Sequence, residues 1–510
     1  MNERVYIKRL ASGVPGLDEV LGGGIPEFSF NLLAGGPGSG KTTLAHQIMF
    51  ANATPDSPAL YVSILGEPPL KMLRYQQQFG FFDHEKVGTC VWFLHLGEDV
   101  LRGGYETVLA RILQEVQMRA PRTVFVDSFR EITRRPRGSG ELGLNDLVQR
   151  LALFLGSWEA TSFLIGDFVD HEGENASLLT VADGIVWMRQ TVDRNSVVRR
   201  MQVLKMRGQE QSPGLHTFRL SSDGVHVYPR MRNPALLGAE TMPVRRRRLT
   251  TGVAGLDEMM GGGVPEGYAM MVVGPSGSGK SLLSTQFILE GIRQNEPGVV
   301  AVFEKRPEEY LQTLPAGGEL AALIKAGSVR MMYLRPLDLS VEEAMEELRR
   351  LILEIGAKRV VIDSLSGFEV ALAPAYREDF RESLYRMVGA LTGLGATVVV
   401  TCELIESYIE LRLTPAGVAF LADGIVLQRY VEAHGSLGRA MAVVKLRACA
   451  HSKALRAYDI DDAGIHMGEM LGHYGQVLTG VPLLDPGRDA LRTGPILSGR
   501  GTTGKKAKRR

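Results

Sequence analysis

Short apolar runs alternate with amphipathic stretches along this chain. The β-branched runs TVFVDS (123–128) and RVVIDS (359–364) have the length of buried strands, whereas VEEAMEELRRLILEIG (341–356) places its apolar residues at helical spacing. Strands that alternate with helices form largely parallel sheets covered by helices. The pattern therefore predicts an α/β fold in which helices flank a mostly parallel sheet.

The same pattern occurs twice. SGVPGLDEVLGGGIPE (12–27) matches TGVAGLDEMMGGGVPE (251–266), so the offset from position 12 to position 251 is 239 residues. The blocks VADGIVWMR and LADGIVLQR, which begin at positions 181 and 421, match at an offset of 240. A near-constant offset over such long blocks indicates a duplicated domain, each copy with its own core.

The boundaries follow from the repeat. The stretch near 230–249 contains prolines and four consecutive arginines, Arg245–Arg248, which is typical of an exposed linker. We expect a first domain at 1–232, a second at 233–470, and a Gly-rich basic tail at 471–510 that is disordered.

A glycine-rich motif follows an apolar run in each copy: FNLLAGGPGSGKT begins at Phe30 and MMVVGPSGSGKS at Met270. Strand, loop and helix in this order form a phosphate-binding loop, whose backbone N–H groups and helix N-terminus face the phosphates of ATP. The lysine supplies charge to the terminal phosphates, and the hydroxyl after it binds Mg²⁺. The predicted binding residues are Gly35, Gly36, Pro37, Gly38, Ser39, Gly40, Lys41, Thr42 and Thr43 in the first copy, and Gly274, Pro275, Ser276, Gly277, Ser278, Gly279, Lys280, Ser281 and Leu282 in the second.

An aspartate ends a later apolar strand in each copy, at Asp127 and Asp363. A carboxylate beside a buried strand is costly without a cation. Both aspartates are therefore predicted to bind Mg²⁺ together with Thr42 and Ser281, and an ordinary surface turn is the alternative.

Hydrolysis also needs a group that orients the attacking water. Glu304 follows the strand VVAVF in the second copy and is predicted to be catalytic there, with Lys280. Alignment of Pro68 with Pro307 puts Leu65 opposite Glu304, and Glu67 lies two residues beyond Leu65, on the same strand face. The first copy either uses Glu67 with Lys41 or binds ATP and hydrolyses it poorly, and we expect weak hydrolysis.

A Lys-x-Arg pair lies on a strand near the end of each copy, in LKMRG (204–208) and VKLRA (444–448). Such a pair either reaches the γ-phosphate bound by a neighbouring subunit, as an arginine finger does, or forms an ordinary solvated basic edge. The spacing alone leaves both interpretations open.

The tandem phosphate loops, the GLDE…GGG block before each loop and the LKxRG-like block near each end resemble the KaiC family, which comprises RecA-like ATPases of the circadian-clock type. The resemblance covers roughly residues 8–470. It implies two tandem RecA-like P-loop domains, a cytoplasmic two-ring homohexamer with ATP between adjacent subunits, and regulatory protein partners. It assigns to the neighbouring subunit's ATP the residues Arg199, Lys205 and Arg207 in the first ring, and Arg439, Lys445, Arg447, His451, Lys453 and Asp462 in the second.

The chain departs from that family at several positions. The family has two adjacent glutamates at the catalytic strand end, where this chain has Leu65-Gly66 and Glu304-Lys305. The clock kinase carries a Ser-Thr phosphorylation pair where this chain has Ala419-Phe420, which have no hydroxyl to phosphorylate. Autokinase activity would need another hydroxyl, such as that of Thr414. The family's C-terminal tail binds a partner protein, but the tail of this chain is basic and differs in composition, so that partner is not transferred to it.

The composition of the chain argues against several classes of function. Net charge is +1 and aromatic residues make up 7%, which argues against a nucleic-acid motor with basic grooves and stacking platforms. Three cysteines lack metal-site spacing, no apolar run has membrane-helix length, and the charged N-terminus lacks a signal-peptide core, so a cytoplasmic protein is expected. The leading prediction is an ATP-hydrolysing hexameric switch that acts in regulation and hydrolyses mainly in its second domain. The alternatives are a Ser/Thr autokinase, a RecA-like nucleic-acid-dependent ATPase, and a scaffold in which ATP is only structural.

Overall fold

We describe the protein from a computed structural model of the 510-residue chain. It describes residues 7–64, 69–127, 144–167, 176–193, 196–230, 247–334, 339–372, 374–377, 380–404, 421–433, 436–471, 474–475 and 483–484. The chain divides into two compact units, which meet between Arg230 and Met231 in sequence. We refer to the described residues 7–230 as the first domain and to 247–471 as the second domain.

The first domain contains one nine-stranded sheet and a small two-stranded ribbon. Its strands are β1 (Arg9–Leu10), β2 (Ile25–Pro26), β3 (Phe30–Gly35), β4 (Ala59–Ser63), β5 (Val91–His95), β6 (Thr123–Asp127), β7 (Thr161–Asp167), β8 (Gly184–Asp193), β9 (Ser196–Met206), β10 (His216–Ser221) and β11 (Gly224–Tyr228). Its helices are α1 (Leu17–Leu21), α2 (Lys41–Asn52), α3 (Pro69–Gln76), α4 (Gly97–Arg119), α5 (Leu144–Ser157) and α6 (Ala176–Val181), with a 3-10 turn at His84–Lys86.

The second domain repeats this plan. Its strands are β12 (Arg248–Leu249), β13 (Val264–Pro265), β14 (Ala269–Gly274), β15 (Gly298–Val302), β16 (Val329–Tyr333), β17 (Arg359–Asp363), β18 (Thr397–Glu403), β19 (Gly424–Ala433), β20 (Ser436–Leu446), β21 (Arg456–Asp461) and β22 (Gly464–Met470). Its helices are α7 (Ala254–Met259), α8 (Lys280–Arg293), α9 (Pro307–Gln312), α10 (Gly317–Ala326), α11 (Val341–Ile355), α12 (Leu365–Ala371), α13 (Pro374–Arg377) and α14 (Phe380–Gly393). A further short pair, β23 (Tyr474–Gly475) and β24 (Leu483–Leu484), follows it.

The two large sheets have the same topology. The order is β11-β10-β9-β8-β3-β7-β6-β4-β5 in the first domain and β16-β15-β17-β18-β14-β19-β20-β21-β22 in the second, which is the same order read from the other edge. Strands β5, β4, β6, β7, β3 and β8 are parallel to their neighbours, whereas β9, β10 and β11 are antiparallel. The strand that carries each phosphate loop is therefore central, with its loop at the carboxyl edge of the parallel strands.

Hydrophobic cores lie on both faces of the first sheet because strand side chains alternate. Leu33 of β3 packs in the cluster that contains α1 and α2, whereas Leu32 packs in the cluster that contains α4 and α5. Continuous apolar strands of this kind are expected where helices cover both faces.

Helix α11 begins and ends at residues whose sequence favours helix termini. Ser340 accepts a hydrogen bond from Glu343 N, and the Glu343 side chain returns one to Ser340 N, so a capping box begins the helix. Gly356 ends it with φ of 62°, a conformation that glycine adopts without steric cost. The amphipathic stretch predicted at 341–356 is thus a helix.

A bulge occurs at the same place in both domains. In β8 and β9, Ile185 pairs with Lys205 but Val186 pairs with Val203, which leaves Leu204 as an extra residue. In β19 and β20 the register shifts in the same way, between Ile425 and Val426. We call this feature the β9/β20 bulge.

The structure confirms the predicted fold class of two α/β domains with mostly parallel sheets. Within the described part of the chain, no helix is both long and apolar enough to cross a lipid bilayer. Residues 231–246 of the predicted linker and most of the predicted tail lie outside the described residues.

Candidate functional site

Each phosphate loop connects a buried strand to a helix that begins at the motif lysine. Strand β3 leads to α2 at Lys41, and β14 leads to α8 at Lys280. The residue before each lysine, Gly40 or Gly279, has φ of 96°. A Cβ at Gly279 would also lie 2.7 Å from the Ile460 side chain, so glycine is needed there for conformation and for space.

The two lysines have different partners. Lys41 Nζ lies 2.7 Å from Gly36 O and 2.7 Å from Asp167 Oδ1, whereas Lys280 Nζ donates to Gly274 O and Pro275 O at 2.8 Å each. Burial lowers the pKa of Lys280, while the carboxylates of Glu403 and Asp363 act in the opposite direction. These contacts satisfy ammonium groups that are positioned to meet phosphate oxygens.

The predicted metal-binding aspartates end β6 and β17. Asp127 Oδ2 accepts hydrogen bonds from Thr42 Oγ1 at 2.9 Å and from the Tyr61 hydroxyl at 2.5 Å. Burial raises the pKa of Asp127, and these two hydrogen bonds lower it. The structure therefore brings the predicted pair Thr42 and Asp127 into direct contact.

In the second domain the carboxylate has other donors. Asp363 Oδ2 accepts from the Tyr310 hydroxyl at 3.0 Å, and Oδ1 accepts from Thr401 Oγ1 at 2.5 Å. Asp363 and Ser281 line the same cavity, so the two predicted metal-binding oxygens face one space.

That cavity has a volume of about 440 Å³ and is built around the second phosphate loop. Cations and anions share its wall, because Lys280, Lys305, Glu304, Asp363 and Glu403 all line it. Apolar side chains complete it: Leu282, Val302, Leu314, Pro315 and Ile460. A space with charged groups at the loop and apolar groups beside them has the chemistry to hold a nucleotide.

Glu304 lies in this cavity two residues after β15 ends. The Ser364 hydroxyl donates a hydrogen bond to Glu304 Oε1 and accepts one from Gly367 N at 3.1 Å. The glutamate is thus oriented by the residue next to Asp363. Its counterpart region in the first domain, Leu65–Pro68 with Glu67, lies outside the described residues.

The Lys-x-Arg pairs fold against their own domains. Arg207 lies 2.9 Å from Asp183, and Lys205 Nζ donates to two carbonyls of α6, the nearer at 3.1 Å. Lys445 Nζ donates to Ala422 O at 2.6 Å, and Arg447 lies 3.4 Å from Asp423. Burial lowers the pKa of Lys445, and the charge of Arg447 adds to that effect.

Sheet register separates these lysines from the phosphate loop of their own domain. Lys205 pairs with Ile185, which pairs with Leu32, three residues before Gly35. Three residues of strand span roughly 10 Å, and the loop continues away from that point. Lys445, which pairs with Ile425, has the same relation to β14.

The other residues predicted to serve a neighbouring subunit lie at both ends of the sheet strands, some beside the phosphate loop and some at the opposite end. Arg439 pairs with Tyr430, whose hydroxyl donates to Ser276 O of the loop at 3.2 Å, so this arginine lies on the loop's side of the sheet. Arg199 has the equivalent position, opposite Gln190. His451 and Lys453 follow β20 at the far edge, whereas Asp462 follows β21, in which Ile460 lines the cavity.

Several site residues were missed in the sequence. Asp167 ends β7 and pairs with Gly35, and Glu403 ends β18 and pairs with Gly274. An acidic residue at the end of a buried strand is the sequence feature that could have identified both. The sequence does not point to Tyr61, Tyr310 or Thr401, because none of them has the same residue type at the equivalent position of the other copy.

The comparisons with known proteins agree with this geometry. The model of the KaiC ATPase family matches residues 10–232 and, a second time, residues 249–471. The chain belongs to the KaiC family of ATPases.

Curated KaiC relatives match along nearly the full length. The Circadian clock oscillator protein KaiC of Rippkaea orientalis is 26% identical over 494 residues, covering 93% of this chain and 92% of that protein. The Circadian clock protein KaiC3 of Synechocystis is 27% identical over 493 residues, with 94% and 95% covered. The KaiC of Synechococcus elongatus is 24% identical over 496 residues, with 94% and 93% covered. The tandem arrangement is therefore shared with KaiC proteins, although the sequence has diverged widely.

Proposed function

We propose that this KaiC-family chain is a Mg²⁺-dependent ATPase that hydrolyses ATP mainly in its second domain and works as a hexameric regulatory switch. The observation that carries the proposal is one cavity lined by Lys280, Ser281, Glu304 and Asp363, with Glu304 oriented by Ser364. A cation for phosphate, two oxygen ligands and a carboxylate next to them are the parts that phosphoryl hydrolysis requires.

Each group has a distinct task. The loop amides and Lys280 bind the β- and γ-phosphate oxygens, and the apolar wall near Leu314 and Ile460 receives the base. Ser281 and Asp363 offer the hydroxyl and carboxylate oxygens that Mg²⁺ prefers, and the ion neutralises phosphate charge when it is bound. Glu304 accepts a hydrogen bond from the attacking water and orients it toward the γ-phosphorus.

The position of the basic residues supports the proposed oligomer. Lys445 and Arg447 lie at the strand edge away from their own loop, so a nucleotide that they contact would belong to an adjacent subunit. A closed homohexamer satisfies every such site at once, with each subunit donating to the next. The first-domain residues Lys205 and Arg207 have the same arrangement.

The first domain acts mainly as a binding and assembly site in this proposal. Its lysine is paired with Asp167, and Thr42 is bound to Asp127, so both groups have internal partners that a nucleotide must replace. Because the sequence has Leu65 where Glu304 stands, turnover there is slow. Signalling then passes through regulatory protein partners in the cytoplasm.

ATPase activity and oligomer mass test the proposal together. We expect Glu304→Gln and Lys280→Ala to remove most turnover, and Lys41→Ala to weaken assembly while second-domain turnover per hexamer is retained. If Lys41→Ala abolishes turnover and Lys280→Ala leaves it intact, hydrolysis takes place in the first domain and the proposed roles of the two domains are reversed.

Two further measurements separate the alternatives. Intact mass after incubation with Mg·ATP gains 80 Da per site only for an autokinase, and turnover that depends on added single-stranded DNA supports a nucleic-acid motor instead. For the trans arrangement, Lys445→Ala subunits mixed with Lys280→Ala subunits should recover part of the activity, because mixed interfaces include one intact site.

A further inference from the structure

A tyrosine hydroxyl contacts the predicted metal-binding aspartate in each domain. Tyr61 is 1% exposed and donates to Asp127 Oδ2, and Tyr310 is 3% exposed and donates to Asp363 Oδ2. Burying a phenol is favourable only when its hydroxyl has a partner, and in both domains the carboxylate is a partner of the tyrosine hydroxyl, beside a threonine of the helix that follows the phosphate loop.

The two tyrosines do not occupy equivalent positions. Tyr61 belongs to strand β4, and the residue at that point of β15 is Val300. Tyr310 belongs to helix α9, and the alignment of Pro68 with Pro307 gives Lys71 of α3 as its counterpart. The two copies therefore make the same contact from different elements, which indicates a demand of the site and not a residue retained by duplication.

In the second domain this contact closes a ring of interactions around the catalytic segment. Glu304 is tied by Ser364, and six residues later Tyr310 is tied to Asp363, so both ends of the segment 304–310 rest on two consecutive residues. Thr401 holds the other oxygen of Asp363 at 2.5 Å but belongs to β18, outside that segment. In the first domain the donor, Tyr61, belongs to strand β4 and not to α3.

We propose that Tyr310 is a positioning residue of the second ATP site, which fixes the Asp363 carboxylate and couples it to the segment that carries Glu304. The inference rests on the proposed function. It predicts that loss of the Tyr310 hydroxyl weakens Mg²⁺ binding and turnover and leaves metal-free nucleotide binding nearly unchanged, since this hydroxyl interacts with Asp363 of β17 and with Thr285 in the second turn of α8.

The test uses Tyr310→Phe in the full-length chain, in a Lys41→Ala background that removes nucleotide binding by the first site. Because Lys41→Ala weakens assembly, both the background and the double variant are measured on the isolated hexamer fraction. Mg²⁺ is titrated against the thermal midpoint of the second domain at saturating non-hydrolysable ATP analogue, and affinity for the analogue is measured separately in EDTA. We expect the half-saturating Mg²⁺ concentration to rise roughly tenfold, the scale of one lost hydrogen bond to a charged group. Analogue affinity in EDTA should stay within about twofold, and kcat should fall more than the KM for ATP changes.

Two control variants test whether the effect is specific to the contact between Tyr310 and Asp363. Tyr458→Phe removes another buried hydroxyl of the same domain, which donates to Ser278 O of the loop at 2.5 Å, and it should change affinity in EDTA instead. Thr401→Val removes the donor to the other carboxylate oxygen and should weaken the Mg²⁺ response with a smaller loss of kcat, because Thr401 is not on the Glu304 segment.

The inference is overturned if Tyr310→Phe changes neither the half-saturating Mg²⁺ concentration nor kcat. It is also overturned if the affinity for the analogue in EDTA falls as much as the Mg²⁺ affinity, because such a loss indicates general disruption of the site. If the wild type lacks turnover but Tyr310→Phe still weakens the Mg²⁺ response, the proposed hydrolysis fails and the positioning role stands.

Discussion

The ammonium of Lys41 lies 2.7 Å from the carboxylate of Asp167, whereas Lys280 of the second phosphate loop donates to two backbone carbonyls. The Lys41 side chain is 7% exposed and that of Asp167 is 26% exposed, so the pair is only partly screened by water. A phosphate that binds the first loop competes with this carboxylate for the lysine. The two sites therefore differ in what ATP must displace.

We expect Asp167→Asn to tighten ATP binding by the first domain. Removal of a partly buried competing charge is worth about 1 kcal/mol, or roughly fivefold in affinity. Equilibrium dialysis in a Lys280→Ala background measures the first site alone. Glu403→Gln in a Lys41→Ala background is the control, and it should change second-site affinity less because Glu403 acts on Lys280 through charge at longer range, without a salt bridge between them. Weaker binding by Asp167→Asn would show that the carboxylate assists the nucleotide.

Ser364→Ala should lower turnover and leave ATP affinity nearly unchanged, because the serine hydroxyl, although it lines the cavity, is engaged by Glu304 and Gly367 N. It should also cost about 1 kcal/mol of stability, since Ser364 caps α12 by accepting from Gly367 N. Steady-state kinetics and thermal unfolding separate the two effects. Ser340→Ala, which removes the cap of α11 away from the cavity, is the stability control. Turnover in Ser364→Ala equal to that of Ser340→Ala would contradict the orienting role.

Asp257 should make the second domain less stable as pH rises. Burial raises its pKa from 3.8 to about 6, against the hydrogen bonds from Thr251. A raised folded-state pKa means that the native state binds the proton more tightly, so this contribution to stability is full below pH 3.8 and is lost as pH passes 6. Asp257→Asn should therefore gain stability relative to wild type, by on the order of 2 kcal/mol, between pH 4 and pH 7.

The measurement follows unfolding by circular dichroism at several pH values. Tryptophan fluorescence is an internal control, because Trp92, Trp158 and Trp187 all belong to the first domain. Parallel stability curves for wild type and Asp257→Asn would rule out the raised pKa.

A buried ion pair distinguishes the second domain. Arg359 is 0% exposed, its Nε donates to Glu296 at 2.8 Å, and its Nη1 donates to the carbonyls of Thr250 and Phe287. We expect Arg359→Met to destabilise this domain by about 3 kcal/mol, because Glu296 is left buried and, among the described residues, keeps only the half-exposed Arg247 as an ion-pair partner. Urea unfolding, read by circular dichroism, measures the loss.

The double variant Arg359→Met with Glu296→Met is the control. Replacing both charges by apolar groups should restore most of the lost stability, since no charge is then left buried. A double variant as unstable as the single one would mean that packing around Arg359, and not its charge, is what stabilises the domain.

The sequence predicts the parts of this fold that depend on local periodicity. Phosphate loops, the aspartates 127 and 363 and helix α11 are visible because strand and helix periods, glycine spacing and capping residues are local properties. Glu304 was predicted in the same way, from a strand end, and the structure places it in the cavity, whereas its catalytic role stays a prediction.

The remaining contacts depend on which strands are neighbours, and local periodicity does not determine that. Tyr61 and Tyr310 reach their aspartates from elements far away in sequence, so only the assembled sheet brings them together. The separation of Lys205 from its own loop likewise requires the register of β3, β8 and β9. The roles of Arg199, Arg439, His451, Lys453 and Asp462 toward a neighbouring subunit stay predictions.

The β9/β20 bulge gives an order of events for the history of this molecule. An extra residue at the same point of both halves is most simply inherited from a single-domain ancestor, since bulges are kept within families. The tyrosine contacts are made from non-equivalent elements, so at least one copy changed its contact after the duplication. The bulged strand that carries the lysine thus kept its shape in both halves, while the restraint on the acidic residue diverged.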